Sequence, residues 1–381
     1  MVSTIAEIEH LLPVLQDFQN SGRSVNILYG IPLPPSQVAR LAGMSRQLSH
    51  RSISVLIDNA LQLDGLIRFH EETGFPAGVY LKVDTGYHRA GLPPSAIDKD
   101  NLVAKLMQLE EQGQAEFLGL YSHSSLSYND STPKQAMANL EGEIYGCLEA
   151  LSVNARLFPK DKEITISVGA SPQVTSVENL LASGDLLSED AQRLRQTIGK
   201  VMTDNTSGFR TKLELHAGVY SILDVQQLST HSRANFGDYE DEIAISVMAE
   251  VCSIYNNHER QQPEALAAVG VLGLGREPCV AYKGWGIVDY TDYSPRLKPE
   301  RRLIINRVSQ EHSIISWEQA DPVEQGQIPP IPLEVGQSIR IYPNHACVTG
   351  ALYGWCLVVD SSDDSESSTR IVDVWVRASG W

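Results

Sequence analysis

The densest groups of reactive side chains follow two short apolar runs. Residues 82–92 (KVDTGYHRAGL) include Arg89, whose planar guanidinium can donate hydrogen bonds to an oxyanion or a phenolic oxygen in fixed geometry. Residues 121–128 (YSHSSLSY) place His123 among several hydroxyl groups. A structural ion pair between Asp84 and Arg89, and an ordinary polar loop, would explain the same residue types. The types alone therefore leave both a binding site and a structural role open.

Two later segments place a glycine directly after an apolar run. Gly169 and Ser171 lie in SVGASP, and Gly218 and Tyr220 lie in HAGVY. Because glycine lets backbone N–H groups approach an anion closely, loops of this kind are typical of phosphate sites. Barrels of parallel strands commonly hold a phosphate in the loops after their last two strands. The two loops therefore form a candidate phosphate site.

A third kind of site is indicated by His345 and Cys347 in the segment PNHACVT. If this segment is a strand, residues two apart point to the same face, and the two side chains could bind one ion. Imidazole and thiolate together suit Zn²⁺. Two protein ligands leave coordination positions open for water and substrate, as in a catalytic site. An ordinary cysteine beside a partly exposed histidine is the alternative interpretation.

Composition limits the class of protein. The 381 residues suffice for about two domains. The 30 basic and 47 acidic residues give a net charge of −17, which disfavours nucleic acid or an anionic membrane as the main partner. No run approaches about 18 consecutive apolar residues, so no transmembrane helix is expected. The five scattered cysteines lack a Cys-x-x-Cys pair, which favours a reducing, cytoplasmic location.

Strand-like and helix-like segments alternate in the first part of the chain. Short apolar runs predict strands at residues 25–29, 53–57, 79–83, 117–122, 164–168 and 212–215. Amphipathic segments between them predict helices, so parallel β-α-β units are expected. The candidate residues then lie at the carboxyl ends of the strands, where a (β/α) barrel places its chemistry.

Six strands are too few for a closed barrel of this kind, which needs eight. Residues 1–4 predict the last piece of a seventh strand, with Ser3 or Thr4 capping a helix that starts near Ile5. Either the sheet is open and doubly wound, or the chain begins inside a barrel. After residue 232, strands and proline-rich turns predominate. We therefore predict one domain over residues 1–232 and a mostly antiparallel β domain over residues 233–381.

Seven segments together resemble a known family. They are LKVDTGYHRAGL, YSHSSLSY, ISVGASP, LELHAGVY, RVSQEHS, PNHACVT and VDVWVRASGW. The first resembles the signature of alanine racemase-like, fold-type III pyridoxal-phosphate enzymes. The ordered set resembles the eukaryotic-type D-serine dehydratase family, to which D-threonine aldolases are related. The resemblance implies an α/β fold: a (β/α)8 TIM-type barrel that lacks its first one to two strands here, followed by a mostly antiparallel β domain.

The resemblance also implies roles for the candidate residues. Arg89 would face the phenolic oxygen of pyridoxal 5′-phosphate, while His123 and Tyr128 would line its ring, with Tyr128 beside the pyridine nitrogen. The phosphate would be held by Gly169, Ser171, Gly218 and Tyr220. His345 and Cys347 would hold zinc, and this pair favours the dehydratases, because the aldolases carry His-x-Asp there.

The implied reaction is a β-elimination that converts D-serine to pyruvate and ammonia. Zinc would act as a Lewis acid and help the β-hydroxyl group to leave. A homodimer is expected, because dimers are usual for this fold type. A different lyase of the same fold, such as a D-threonine or 3-hydroxy-D-amino-acid aldolase or dehydratase, is an alternative.

One expected catalytic group is missing from the sequence. The family's Schiff-base lysine lies in a His-x-Lys-Thr-His segment on the first barrel strand, and this chain contains no such segment. Lys82 lies on a predicted strand, but at the position that supports the Arg89 site in relatives. We therefore expect an N-terminally truncated family member that is inactive in this form. A non-catalytic protein that still binds pyridoxal phosphate and zinc is the alternative.

Overall fold

The first part of the chain forms a sheet of six parallel strands in sequence order. The strands are β1 (Ile27–Pro32), β2 (Ile53–Ile57), β3 (Ala77–Lys82), β4 (Ala115–Tyr121), β5 (Glu163–Val168) and β6 (Arg210–Leu215). β2 and β3 are buried at every position, as is usual for parallel strands covered on both faces. All six predicted strands are confirmed, with ends that differ by a few residues.

Helices connect these strands and share one hydrophobic core with them. They are α1 (Ile5–Asn20), α2 (Val38–Leu48), α3 (Leu63–Thr73), α4 (Leu102–Glu111), α5 (Pro133–Val153), α6 (Ser171–Ser176) and α7 (Glu189–Thr203). Alternation of strand and helix produces the TIM-like arrangement that the sequence predicted. The described sheet has six strands.

The start of the chain behaves as predicted. Val2 forms an isolated parallel bridge with Tyr29 of β1, so the residues before α1 continue the sheet. Thr4 caps α1: its hydroxyl accepts the N–H of Glu7 at 3.2 Å, and the Glu7 carboxylate accepts the N–H of Thr4 at 2.8 Å. This reciprocal capping box pairs two backbone donors that the first helical turn leaves free.

The structure is a computed structural model that describes residues 1–160, 162–181, 187–203, 208–296, 298–318, 328–360 and 370–378. Contacts divide the chain into two units. The first contains residues 1–127, 134–217 and 378–381, and the second contains residues 128–133 and 218–377. The predicted domain boundary after residue 232 lies further along the chain than this change of unit, and it stays a prediction.

The second unit is built on a closed antiparallel barrel with the strand order β10-β11-β8-β7-β12-β9. These strands are β7 (Val247–Tyr255), β8 (Glu264–Ala267), β9 (Gly286–Val288), β10 (Leu303–Val308), β11 (Ser313–Trp317) and β12 (Ser338–Pro343). Short helices accompany them: α8 (Val225–Ser229), α9 (Tyr239–Glu242), α10 (Val271–Leu274) and α11 (Ala346–Ala351). A separate hairpin joins β13 (Trp355–Val359) to β14 (Ile371–Val376).

Two details of this unit differ from the sequence prediction. The apolar run at residues 267–273 predicts a strand, but β8 ends at Ala267 and α10 begins at Val271. Gly270 is the N-cap of α10, and a Cβ there would lie 2.3 Å from the carbonyl oxygen of Ser309. The strand β11 was not predicted, because serines at two of its five positions (SIISW) interrupt the apolar run.

Candidate active site

Four residues from neighbouring strands form a row on one face of the parallel sheet. The register pairs Lys82 with Tyr121, Tyr121 with Ser167, and Ser167 with Glu214. Because side chains alternate between the two faces of a strand, paired residues share a face. We call these four residues the inner row. It lies near the carboxyl ends of the strands, where (β/α) barrels carry their chemistry.

A chain of hydrogen bonds orients His216, which follows β6. Ser167 Oγ donates to Glu214 Oε1 at 2.8 Å and lies 3.2 Å from His216 Nδ1, so it accepts the proton of that nitrogen. The lone pair of the imidazole is then on Nε2. Nε2 is buried and has no hydrogen-bond partner among the described residues. Buried polar atoms are nearly always paired, so a bound molecule that offers a donor would fit here.

Two neutral imidazoles lie beside the inner row. The ring of His216 stacks on that of Tyr121, with centroids 4.5 Å apart and planes 5° apart. Burial, with the charges of His123 and Lys82, lowers the pKa of His216 to about 3. Burial and the charge of Arg89 lower the pKa of His123 to about 4. Both rings therefore stay uncharged at neutral pH and present flat, weakly polar surfaces.

The loop after β5 is fixed from two sides. His123 Nδ1 donates to the carbonyl oxygen of Gly169 at 2.7 Å. The N–H of Gly169 donates to the carboxylate of Glu143 at 3.2 Å. Gly169 has a φ of +130°, and a Cβ there would lie 2.7 Å from the carbonyl oxygen of His216. Only glycine allows this backbone path. The N–H of Gly169, which was predicted to approach a phosphate, is paired with Glu143 in this structure, so its predicted role in holding the cofactor stays a prediction.

Glu143, on α5, joins three segments around this loop. Its carboxylate also accepts the N–H of Ser124 at 2.7 Å and Nε2–H of Gln173, on α6, at 2.9 Å. The carboxylate is 2 % exposed, and burial raises its pKa. A buried carboxylate with three donors is a positioning element, because each donor would otherwise be left unpaired.

Lys82 is the buried cation of the inner row. Its side chain is 5 % exposed, and Nζ lies 4.9 Å from the centroid of the Tyr121 ring. Burial lowers the pKa of Lys82 to about 8, even though Glu143 opposes the shift. The amine is therefore partly neutral near physiological pH.

Arg89 lies on an exposed turn after β3. Its guanidinium lies 5.3 Å from the centroid of the Tyr87 ring. The alternative of an Asp84–Arg89 ion pair is wrong, because Asp84 bonds to Nδ1 of His88 at 2.7 Å instead. Arg89 still acts on the inner row, since its charge lowers the pKa of both Lys82 and His123.

The site in the first unit fits pyridoxal 5′-phosphate by three observations. The stacked imidazoles and Tyr121 provide ring-sized flat surfaces, Nε2 of His216 lacks a partner in the described part of the chain, and Gly169 brings its backbone close to the site. Ser171 is buried at the start of α6, two residues beyond Gly169. These features bring four of the predicted residues together: Arg89, His123, Gly169 and Ser171.

Three other predicted cofactor residues belong to the second unit. Tyr128 is half-buried on a short turn, residues 126–129. Gly218 is exposed, and a Cβ there would meet nothing within 4 Å. Tyr220 is 46 % exposed. Gly218 therefore has room for a side chain, unlike Gly169.

The predicted metal pair lies at the start of α11 rather than in a strand. His345 is the N-cap of this helix, and its Nδ1 accepts the N–H groups of Cys347 and Val348 at 3.2 and 3.5 Å. Cys347 is exposed. The buried carboxylate of Asp224 accepts the N–H of Ala346 at 2.8 Å and so fixes this turn. Among the described residues, no three His, Cys, Asp or Glu side chains gather as a metal site.

A groove of about 850 Å³ opens at the opposite, amino-terminal edge of the sheet. Its lining includes Arg51 and Glu116, which form an ion pair at 2.9 Å, and Asn26, which donates to the carbonyl oxygen of Arg51 at 2.8 Å. These groups satisfy one another. We therefore place the candidate active site at the inner row and not in this groove.

Comparison with known proteins identifies the family. A family model described as "Putative serine dehydratase domain" matches residues 244–359, and one described as "Alanine racemase, N-terminal domain" matches residues 1–181. D-serine dehydratases of Schizosaccharomyces pombe and Saccharomyces cerevisiae are each 30 % identical over this whole chain, which covers 79 % and 81 % of their lengths. The chain belongs to the D-serine dehydratase family.

The members of this family named here are lyases, so the predicted enzyme class and family are confirmed. The solved structure of D-threo-3-hydroxyaspartate dehydratase from Delftia sp. HT23 has a TM-score of 0.68 at 22 % identity, and covers 97 % of this chain and 83 % of that one. This likeness confirms the alanine racemase-like fold. No helix in the described parts of the chain is both long and apolar enough to cross a membrane.

Two residues that shape the candidate sites, one in each unit, were not predicted from the sequence. Glu143 lies on the buried side of α5 with Leu140, Ile144 and Cys147, and a carboxylate on an apolar helix face was a detectable signal. Asp224 precedes α8, and its side chain accepts the N–H of Gln227 as an N-cap. Nothing in the sequence shows that Asp224 also bonds to Ala346, because the two lie far apart along the chain.

Proposed function

We propose that this chain binds pyridoxal 5′-phosphate at the inner row and that its family reaction is the β-elimination of D-serine to pyruvate and ammonia. The observation that carries this proposal is the buried, unpaired Nε2 of His216, held as an acceptor beside the ring of Tyr121. When bound, the cofactor supplies an electron sink for bond cleavage at the substrate.

The surrounding residues bind and orient. His123 and Glu143 hold the carbonyl and the N–H of Gly169, so that loop cannot rotate away. Low pKa values keep both imidazoles neutral, and Arg89 supplies positive charge at the rim. An anionic, aromatic ligand suits this combination.

Cofactor binding is tested with the variant His216→Phe, which keeps a flat ring against Tyr121 and removes Nε2. We expect the dissociation constant for pyridoxal phosphate, measured by equilibrium dialysis, to rise roughly tenfold, because about 1.4 kcal/mol of hydrogen bonding is lost. His10→Gln, at an exposed position of α1, is the control. Equal affinities of all three proteins would contradict the proposed site.

We further propose that Zn²⁺ binds through His345 and Cys347, as their chemistry suggests. The similar D-threo-3-hydroxyaspartate dehydratase has been solved as a cysteine-to-alanine variant described as metal-free, which supports a thiolate ligand here. A neutral imidazole has one lone pair for binding, and in this structure the lone pair of His345 is on Nδ1, where it accepts the N–H groups of Cys347 and Val348. Ligation of the metal through Nε2 would move the proton to Nδ1 and so release these two hydrogen bonds. Zinc would supply a Lewis acid for the leaving hydroxyl group.

Zinc binding is tested by titration with Co²⁺, whose thiolate complexes absorb visible light. We expect Cys347→Ser to lose the thiolate band and Cys252→Ser, at another exposed cysteine, to keep it. A band that survives in Cys347→Ser would assign the metal to another residue.

We propose that the 381 residues do not turn over D-serine by themselves, because the resemblance assigns the Schiff-base lysine to a His-x-Lys-Thr-His segment that they do not contain. We expect no pyruvate from D-serine in a coupled lactate dehydrogenase assay with cofactor and zinc present. Pyruvate formation above the cofactor-only rate would overturn this expectation. Homodimer formation and a cytoplasmic location stay predictions.

A second candidate substrate is D-threo-3-hydroxyaspartate. The dehydratase of this name from Delftia sp. is 24 % identical over the whole chain. Competition between the two amino acids for the cofactor-loaded chain, measured by calorimetry, separates the candidates. Tighter binding of D-threo-3-hydroxyaspartate would favour the second.

A further inference from the structure

Lys82 differs from every other lysine of this chain. The chain has ten lysines, all within the described residues, and Lys82 alone is buried. The resemblance assigned it a supporting role beside Arg89. Its position in the inner row, at the carboxyl end of β3, instead places its amine next to Tyr121 and on the same face as Ser167.

The amine of Lys82 has no ion pair and no hydrogen bond within the described part of the chain, and it lies over the face of the Tyr121 ring, 4.9 Å from the centroid. Its charged neighbours oppose one another, since Glu143 and Asp84 favour the ammonium form while Arg89 disfavours it. Burial also disfavours the ammonium form of Lys82, and more strongly than Arg89 does, because a buried, unpaired ammonium group loses its hydration. The imidazoles of His123 and His216 are neutral and add no positive charge beside the amine.

We infer that Lys82 is the nucleophilic amine of this chain and that it captures aldehydes, pyridoxal 5′-phosphate among them, at the inner row. The neutral amine attacks the aldehyde carbon, a C–N bond forms, and the carbonyl oxygen leaves as water, which takes up both amine protons. The product has a C=N bond to Lys82. This inference rests in part on the proposed cofactor site, but it assigns the covalent step to a residue that the family resemblance did not.

The test is reductive trapping followed by peptide mapping. The 381-residue chain is incubated with equimolar pyridoxal phosphate at pH 8, and sodium borohydride then delivers hydride to the C=N bond and makes the link permanent. We expect the phosphopyridoxyl group on the peptide that contains Lys82, at least about tenfold above any other lysine, because the ordinary amine at this pH is almost fully protonated. Preferential labelling of exposed lysines would overturn the inference.

Two variants and a second probe keep the outcomes separate. Lys82→Arg keeps the cation over Tyr121 and removes the nucleophile, while Lys105→Arg changes an exposed lysine of α4. We expect only the first to lose labelling, with circular dichroism confirming that both fold. If Lys82→Arg is unfolded, competition of native Lys82 labelling by inorganic phosphate replaces it, and labelling that phosphate leaves unchanged contradicts capture at this site.

The second probe is pyridoxal, which lacks the phosphate. Labelling of Lys82 by pyridoxal with no preference for the phosphorylated form would support the nucleophile and contradict the phosphate site. Tight, reversible binding of pyridoxal phosphate without labelling of Lys82 would support the proposed function and refute the inference.

Discussion

The sharpest prediction concerns Glu143, whose carboxylate holds Ser124, Gly169 and Gln173 together. The substitution Glu143→Gln keeps the shape of the side chain. Its single carbonyl oxygen can replace Oε1, which accepts from Ser124 and Gln173, but its NH₂ group then faces the N–H of Gly169. Glu143→Ala removes the acceptor for all three donors.

The magnitudes follow from these contacts. One buried donor left unpaired costs about 1–3 kcal/mol. Removal of a buried charge offsets part of this cost, because burial raises the pKa of Glu143 and so the folded state disfavours the carboxylate. We expect Glu143→Gln to reduce the free energy of unfolding by about 1–2 kcal/mol and Glu143→Ala by at least about 3 kcal/mol.

The assay can distinguish the two units. Four of the five tryptophans, Trp285, Trp317, Trp355 and Trp375, lie in the second unit, whereas the long helices lie in the first. Urea unfolding followed by far-ultraviolet circular dichroism therefore reports mainly on the first unit, and tryptophan fluorescence on the second. We expect both Glu143 variants to shift the unfolding transition seen by circular dichroism and to leave the transition seen by fluorescence unchanged. The control Glu149→Gln, on the exposed side of α5, should change stability by less than about 0.5 kcal/mol.

The pH dependence gives an independent check. Glu143 has a raised pKa in the folded state, so its contribution to stability is full below 4.5, the ordinary value, and declines as pH rises through the folded value. The difference in the free energy of unfolding between wild type and Glu143→Gln should therefore become smaller as pH rises from 4.5. Two results would refute the reasoning. One is a loss of unfolding free energy below about 1 kcal/mol in Glu143→Ala. The other is a stability difference between wild type and Glu143→Gln that grows with pH.

Three further predictions concern the neighbouring residues. Gly169→Ala should lower the melting temperature and weaken pyridoxal phosphate binding, since its Cβ would lie 2.7 Å from the carbonyl oxygen of His216. Gly218→Ala is the control and should melt like wild type, because a Cβ there meets open space. Equal melting temperatures of the two variants would contradict this prediction. The protein should lose stability as pH falls from 6.5 toward about 3, because in this range His216 binds a proton only in the unfolded state. The variant His216→Asn should lose less stability over this pH range. An acid transition that is the same in the variant and in wild type would argue against this role of His216. Asp224→Asn should weaken zinc binding by Cys347 without changing the far-ultraviolet spectrum, and an unchanged Co²⁺ titration would refute a positioning role.

Local signals predicted most of the first unit. Most of the parallel strands contain a short run rich in Val, Ile, Leu or Tyr, and Thr4 with Glu7 forms a capping box that the sequence displays directly. The second unit was harder to predict. Its strands are short, and α10 begins soon after β8, at Gly270, whose close approach to the backbone of Ser309 depends on residues far along the chain.

The sequence by itself determined the family and the six parallel strands, because local motifs and apolar runs carry that information. It also predicted the candidate ligands, among them Arg89, His123, Gly169 and Ser171. Only the tertiary structure decided the chemistry of the inner row. The depressed pKa of Lys82, the acceptor state of His216 and the three donors on Glu143 depend on burial and on partners from other strands and helices. Burial and long-range pairing are properties of the packed chain, and no local pattern encodes them.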